Sequence, residues 1–366
     1  MRIECLKEKL MLAVGAAERV TGKNLTLPVL GCIELRAQDA TLIIRATNLD
    51  LGLEITMPVK VAEEGVVAVP GAVLSAFLVN LPNDKNVTLE TKDQNLVVST
   101  PYSSTVIKSL PSDDFPTIPR VEQDKVFTLP GKDFVKGLKS VWYSSSTSSM
   151  KPELSSIYVY LDDEQMVFAA TDSFRLAEKK VKIKKGKELP QILIPFKNVP
   201  EMIKIAEAAP GDIDLFSNKN QLAVSFGGTY LTSRIIDGVF PDYKQIIPKE
   251  SKTEAVILKQ DLINALKISN IFSDKFHQLN IKASPASKKL ELRAKNSDVG
   301  ESSTLLQSAI TGEDIEINFN YKYIADCFQS VDADSVTLSF NGLNRPLVIR
   351  GVSDRSFMYL VMPMNR

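Results

Sequence analysis

One segment of this chain returns twice. Leu42-Ile43-Ile44-Arg45-Ala46-Thr47-Asn48 reappears as Met166-Val167-Phe168-Ala169-Ala170-Thr171-Asp172 and again as Leu290-Glu291-Leu292-Arg293-Ala294-Lys295-Asn296, with both steps 124 residues long. A second segment repeats behind the first. Val66-Val67-Ala68-Val69-Pro70, Gln191-Ile192-Leu193-Ile194-Pro195 and Ile315-Glu316-Ile317-Asn318-Phe319 each lead into a helix-like stretch, then into a strand-like one at Val87, Ile213 and Val336. Three copies of a unit about 120 residues long, each able to bury its own core, predict three domains. Their expected bounds are 1–122, 126–248 and 253–366. Repetition suits a geometric job: catalysis needs one asymmetric site, whereas repeated units build an arc, a stack or a ring.

Within each copy the periodicity predicts two helices among short strands. Residues 5–19, with Leu6, Leu10, Ala13, Val14 and Ala17 on one face, open the first copy; 132–142 and 260–271 open the others. One apolar face and one wet face is the pattern of a helix lying on a sheet. Second helices are expected at 71–81, 198–208 and 321–331, and strands at 33–36, 157–161 and 359–362. Polar joints at 120–125 and 249–254 separate the copies. Phe115-Pro116 and Phe240-Pro241 precede them, where a proline that cannot donate to a sheet marks a strand leaving it.

The chain carries 44 basic and 44 acidic residues, so bulk charge gives no nucleic-acid signal. Its distribution is uneven, because the six helical stretches taken with their leading residues (5–19, 71–81, 131–143, 196–208, 259–271 and 320–331) come to +4 and the remainder to −4. The run Lys179-Lys180-Val181-Lys182-Ile183-Lys184-Lys185 is the densest basic patch. Its alternation predicts an exposed edge strand whose lysines discourage further pairing. Three cysteines, Cys5, Cys32 and Cys327, fit reduced buried thiols in a cytoplasmic protein. No apolar run nears the roughly 20 residues of a membrane span, and the N-terminus has no signal-peptide core. A single histidine, His277, leaves no metal cluster and no evident triad, and the common phosphate, dinucleotide and zinc motifs are missing. The expectation is a protein without catalytic residues, metal or cofactor. The rival readings are a self-assembling β-rich scaffold and, third, an enzyme whose site breaks the repeat symmetry.

Five stretches, spread over all three copies, carry a resemblance. They are Thr26-Leu27-Pro28-Val29-Leu30-Gly31, Ser109-Leu110-Pro111 with Asp114-Phe115-Pro116, residues 170–177 (Ala-Thr-Asp-Ser-Phe-Arg-Leu-Ala), residues 237–243 (Asp-Gly-Val-Phe-Pro-Asp-Tyr) and residues 359–364 (Tyr-Leu-Val-Met-Pro-Met). Together they resemble the bacterial sliding-clamp family, the β subunits of the replicative DNA polymerase holoenzyme. The resemblance implies an α+β DNA clamp fold: three clamp-type domains, each with two helices packed on antiparallel sheets. Two chains would form a homodimeric ring with helices lining the hole. It implies sequence-independent binding of duplex DNA, and docking of the replicative polymerase, the clamp loader and repair polymerases through short peptide motifs, with no membrane role. The setting would be the cytoplasm, in association with the nucleoid.

The same resemblance assigns residues. The peptide cleft would comprise Leu154, Thr171, Ser173, Phe174, Arg175, Leu176, Pro241, Ile246, Asn320, Tyr323, Pro346, Leu360, Met362, Pro363 and Met364. Apolar walls with flexible methionines suit a site that accepts many sequences, and Arg175, Asn320 and Tyr323 would orient the peptide. DNA contact would fall to Lys23, Lys132, Lys136, Lys151 and Lys197, cations suited to phosphates. Thr105 and Ile107 of one chain would meet Ile271 and Phe272 of its partner, an open strand edge joined by an apolar cluster.

Overall fold

The computed structural model describes residues 1–22, 27–81, 85–121, 127–183 and 189–364. Among them are six α-helices: α1 Lys7–Val20, α2 Gly71–Asn80, α3 Gly131–Val141, α4 Val199–Ala206, α5 Lys259–Ile271 and α6 Tyr321–Asp326. They stand at the six predicted places with shifted ends. α1 starts later than expected because Ile3 and Cys5 alternate into the core along the strand Arg2–Leu6, which leaves Leu6 exposed. Pro200 lies in the first turn of α4, behind a 3-10 turn at Phe196–Asn198. α6 tightens into a 3-10 turn at Cys327–Gln329 and ends early.

The described residues fall into two compact units, one drawn from 1–132, 189 and 197–235, the other from 133–183, 190–196 and 236–364. In the first, an antiparallel sheet of eight strands runs Phe127–Pro130, Asp212–Ser217, Gln221–Phe226, Thr229–Arg234, Leu51–Pro58, Thr41–Thr47, Cys32–Gln38, Gly65–Pro70. The first and second copies are thus joined by backbone pairing, Tyr230 opposite Glu54 and Leu231 opposite Leu53. A five-stranded sheet ends on the edge strand Ser104–Ile107.

In the second unit, nine strands run Ile192–Pro195, Ser156–Asp162, Gln165–Thr171, Arg175–Lys182, Phe357–Val361, Leu347–Gly351, Ser335–Phe340, Thr253–Leu258, Ala309–Gly312. Here Arg175–Lys182 joins the second copy to the third through Phe357–Val361, with Leu176 opposite Leu360. A four-stranded sheet begins at the edge strand Gly300–Gln307. In this unit α3 comes so close to the sheet that a Cβ on Gly137 would stand 2.3 Å from a ring carbon of Phe168, so glycine alone permits the approach.

The repeated segment is one strand and its turn in each copy. Thr47 Oγ1 donates to the Leu51 carbonyl at 2.7 Å and Asn48 Oδ1 accepts from the Leu51 N–H at 2.7 Å. In the second copy Thr171 Oγ1 donates to the Arg175 carbonyl at 2.7 Å and Asp172 Oδ1 accepts from the Arg175 N–H at 3.0 Å. Leu49 and Ser173 hold φ of 75° and 77° at the matching position. Side chains that replace backbone partners in a tight turn explain why this segment repeats.

The basic run is a correction. Its strand is interior, hydrogen-bonded on both sides to Gln165–Thr171 and Phe357–Val361, and is not an edge. Lys179 is 2% exposed, with its ammonium 2.6 Å from Ser356 Oγ and 3.3 Å from Asp354 Oδ2. Burial pulls its pKa down, against the pull of Asp354. Alternation of lysines identified a strand but not its neighbours, and a paired lysine can be a core residue. Lys184 and Lys185 lie outside the described residues.

Candidate functional site

Within the second unit, the turn after the repeated strand builds a hub on Arg175. Its Nε bonds Asp172 Oδ2 at 3.0 Å, one terminal nitrogen donates to Asp326 of α6, and the other donates to the Tyr143 carbonyl at 2.6 Å. The guanidinium lies 4.7 Å from the centroid of Tyr323, which stacks against Phe174 at 6.4 Å. Burial opposes the charge, but Tyr359, Asp326 and Asp172 outweigh it, and the pKa ends above the usual arginine range. A planar fork with three acceptors at fixed angles is a job for arginine. The first copy has buried Leu51 at the matching turn position, so the hub is an addition to the repeat.

Beside the hub the chain end crosses over. The Met362 N–H donates to the Phe174 carbonyl at 2.8 Å and the Met364 N–H to the Asn318 carbonyl at 2.8 Å. Leu176 and Leu360 form a buried floor with Phe240, Tyr243 and Val348, and Met362 packs against it. Next to this floor opens a cavity of about 590 Å³ whose walls include Ile246, Ile247, Pro346 and Met362.

Beneath the loop that carries Pro241 and Ile246 sits a polar lock. The Tyr243 hydroxyl donates to the Glu178 carboxylate and lies 2.9 Å from the Tyr160 hydroxyl. Burial, then Glu178, pushes the Tyr243 pKa up, so the phenol remains a donor. Lys244 pairs with Asp162 at 3.1 Å, and Phe240 stacks on Tyr158 at 4.9 Å. The loop is thereby fixed to the sheet before any ligand arrives.

The expected cleft residues therefore take different parts. Ile246, Pro346 and Met362 share the cavity; Leu176 and Leu360 support it from below; Phe174, Arg175 and Tyr323 form the stack. Thr171 and Ser173 shape the turn, since the Ser173 N–H donates to Thr171 Oγ1 at 3.1 Å. Asn320 caps α6, with Oδ1 accepting from the Lys322 N–H at 2.9 Å, so its oxygen is already engaged. Leu154 is buried, Pro241 is exposed ahead of Tyr243, and Pro363 and Met364 are half-buried. Sequence reasoning missed Asp172, Asp326, Tyr143 and the Glu178–Tyr243 bond. Asp172 stood inside the repeated turn, and a Thr-Asp followed by arginine was the available signal.

The lysines differ in availability. Lys132, Lys136 and Lys139 recur along one face of α3. Lys136 is held by Asp332 at 2.9 Å, whose hydrogen bond raises the lysine pKa. Lys132 has no ion pair among the described residues. Lys197 pairs with Asp50 at 2.6 Å, Lys151 is exposed, and Lys23 lies outside the described residues. Of the residues expected at a seam, Thr105 is half-buried and Ile271 is 65% exposed at the end of α5, with Phe272 half-buried beside it. Ile107 turns inward at 3% exposure, whereas its neighbour Val106 is 60% exposed. Strand alternation sends the outward role to Val106.

Repeated helix-on-sheet units joined edge to edge define the class of DNA clamps, and the comparisons place the chain within it. Descriptions of the N-terminal, central and C-terminal domains of the DNA polymerase III beta subunit match residues 1–119, 128–242 and 244–365. The chain belongs to the DNA polymerase III beta-subunit family, the sliding clamps. The beta sliding clamp of Synechococcus elongatus is 26% identical over 374 residues, covering 100% of this chain and 99% of that protein. That of Staphylococcus epidermidis is 27% identical over 350 residues, covering 93% of each. Among solved structures, a Pseudomonas aeruginosa sliding clamp bound to griselimycin superposes with a TM-score of 0.95 at 23% identity, covering 100% of both chains. The beta subunit from Thermotoga maritima gives 0.94 at 23%, covering 100% of this chain and 99% of that one.

Proposed function

We propose that this sliding clamp works as a head-to-tail homodimeric ring of three domains per chain, bounded near 1–122, 126–248 and 253–366. The ring encircles duplex DNA in the cytoplasm, at the nucleoid, and tethers the replicative polymerase, the clamp loader and repair polymerases. Its contribution is positional rather than catalytic. Partner peptides enter the cavity beside Met362, and phosphates are met by Lys132, Lys136, Lys151, Lys197 and Lys23.

The rule by which the copies join carries this reading. In the first copy the strand after the repeated motif, Leu51–Pro58, pairs with Thr229–Arg234, the strand that closes the second copy. In the second copy the matching strand, Arg175–Lys182, pairs with Phe357–Val361, which closes the third. The third copy's matching strand, Gly300–Gln307, is left as an edge with Leu305 exposed. The first copy's closing strand, Ser104–Ile107, is an edge with Val106 exposed. Applied once more, the rule joins Gly300–Gln307 of one chain to Ser104–Ile107 of another. An edge satisfied in this way is heterologous, and closing it through two chains removes both open ends. α5 packs on Gly300–Gln307, which supports counting Ile271 and Phe272 to the same seam.

Light scattering with a low-resolution image tests the assembly. The expected mass is twice the 40.4 kDa of the chain, in a particle with a central hole. A particle of one chain at micromolar concentration would remove the ring.

A further inference from the structure

Two of the lysines expected to meet phosphates are already held by carboxylates from a neighbouring copy. In the second unit, Lys136 of α3 lies 2.9 Å from Asp332, which follows the turn that closes α6. The loop that carries Asp332 is docked on α3. Ser330 Oγ donates to the Ser140 carbonyl at 3.1 Å and accepts from the Tyr143 hydroxyl at 3.1 Å, while Ser140 Oγ donates to the Lys136 carbonyl at 2.7 Å. The hydrogen bond from Lys136 holds the Asp332 carboxyl below the usual carboxylate range, so it stays ionised. In the first unit, Lys197 at the entry of α4 lies 2.6 Å from Asp50. Asp50 is fixed through its backbone: its N–H donates to Asn48 Oδ1 at 3.0 Å and its carbonyl accepts from the Arg234 N–H at 2.8 Å. By contrast Lys132, one turn before Lys136, has no ion pair among the described residues.

We infer that Asp332 and Asp50 are restraining residues that set how loosely the clamp holds duplex DNA, each competing with phosphate for one lysine. The inference rests on the DNA reading of Lys136 and Lys197 and adds the groups that limit it. Seen from farther off than its own length, an ion pair is close to neutral, and a phosphate that comes nearer meets the carboxylate as well as the ammonium. To bind, it must displace the carboxylate, and that loss offsets much of the gain. Sequence-independent attraction grows with each phosphate neutralised, and each added contact is one more to break at every step along the duplex. An exposed pair is worth little, so releasing one lysine should tighten duplex binding about two- to fivefold at low salt. It should also steepen the salt dependence by about 0.9, the share of one more neutralised phosphate.

Fluorescence anisotropy with a short linear duplex, which can thread a closed ring without a loader, tests this as salt is raised. Asp332→Asn keeps an acceptor for Lys136 and removes the charge. It should bind about two- to fivefold tighter than the wild type at low salt, with the slope of log K against log salt steeper by about 0.9. Asp50→Asn should act alike in the first unit, and the two together should steepen the slope by about 1.8. Asp163→Asn is the control. It removes the same charge from an exposed turn, where Asp163 holds a φ of 52° that asparagine also tolerates, and should leave the slope at the wild-type value. A wild-type slope in Asp332→Asn or in Asp50→Asn, or an equal gain in Asp163→Asn, overturns the restraint. A lower urea midpoint without a steeper slope would make the pairs structural staples between copies and would overturn it too. Absent or salt-independent binding by the wild type overturns the DNA reading of the lysines, and the restraint with it.

Discussion

Ile271→Asp should yield a folded monomer. Ile271 is exposed in the single chain, so an aspartate there costs the protomer little and the fold survives. In the proposed ring the same side chain would enter an apolar seam beside Phe272, against the exposed Val106 edge of a second copy. An unpaired carboxylate buried at such a seam costs at least about 3 kcal/mol, more than a hundredfold in the dimer constant. Sedimentation at low micromolar concentration should report 40.4 kDa for the variant. A dimer mass equal to that of the unaltered protein would move the seam elsewhere.

Arg175→Ala should weaken both the second unit and its cleft. It deprives Asp172, Asp326 and the Tyr143 carbonyl of one shared donor and leaves the Tyr323 face uncovered. Partly buried acceptors left unpaired cost about 1–3 kcal/mol each, and Asp326 is exposed enough to recover its loss in water. The expected fall in stability is about 3 kcal/mol, read as a lower urea midpoint at unchanged slope. Peptide affinity should fall at least about tenfold, because the stack and the Met362 crossing both lean on this turn. Arg175→Lys should not restore either quantity, since the donors of one ammonium nitrogen cannot span the positions of three guanidinium nitrogens. A midpoint and an affinity equal to those of the wild type would show that the hub supports neither the fold nor the cleft.

Much of this is legible in the sequence. The spacing of 124 residues located matching strands in all three copies, and Thr-Asn or Thr-Asp at their ends is the local hydrogen-bonding device that makes their turns. Helix faces were readable because Leu10, Ala13, Val14 and Ala17 recur at the period of a helix. What was illegible was set by which strand lies next to which. Lys179 looked like solvent-facing charge until Phe357–Val361 closed over its strand and supplied Asp354 and Ser356. Ile107 and Val106 are both apolar, and only the sheet decides which one faces out.

The central claim is topological: the protein stays on DNA because it surrounds it. Lysines that meet phosphates hold any duplex weakly and lose it as salt rises, whereas an encircling ring is lost only at an end. The direct measurement loads the protein onto nicked circular DNA with a clamp loader, raises the salt, and then cuts the circle once. The account predicts retention on the circle at salt that abolishes ordinary phosphate binding, release within the time of cutting, and little effect of Lys132→Ala on retention before the cut. Equal retention on circular and cut DNA, or loss from both at the same salt, would contradict it.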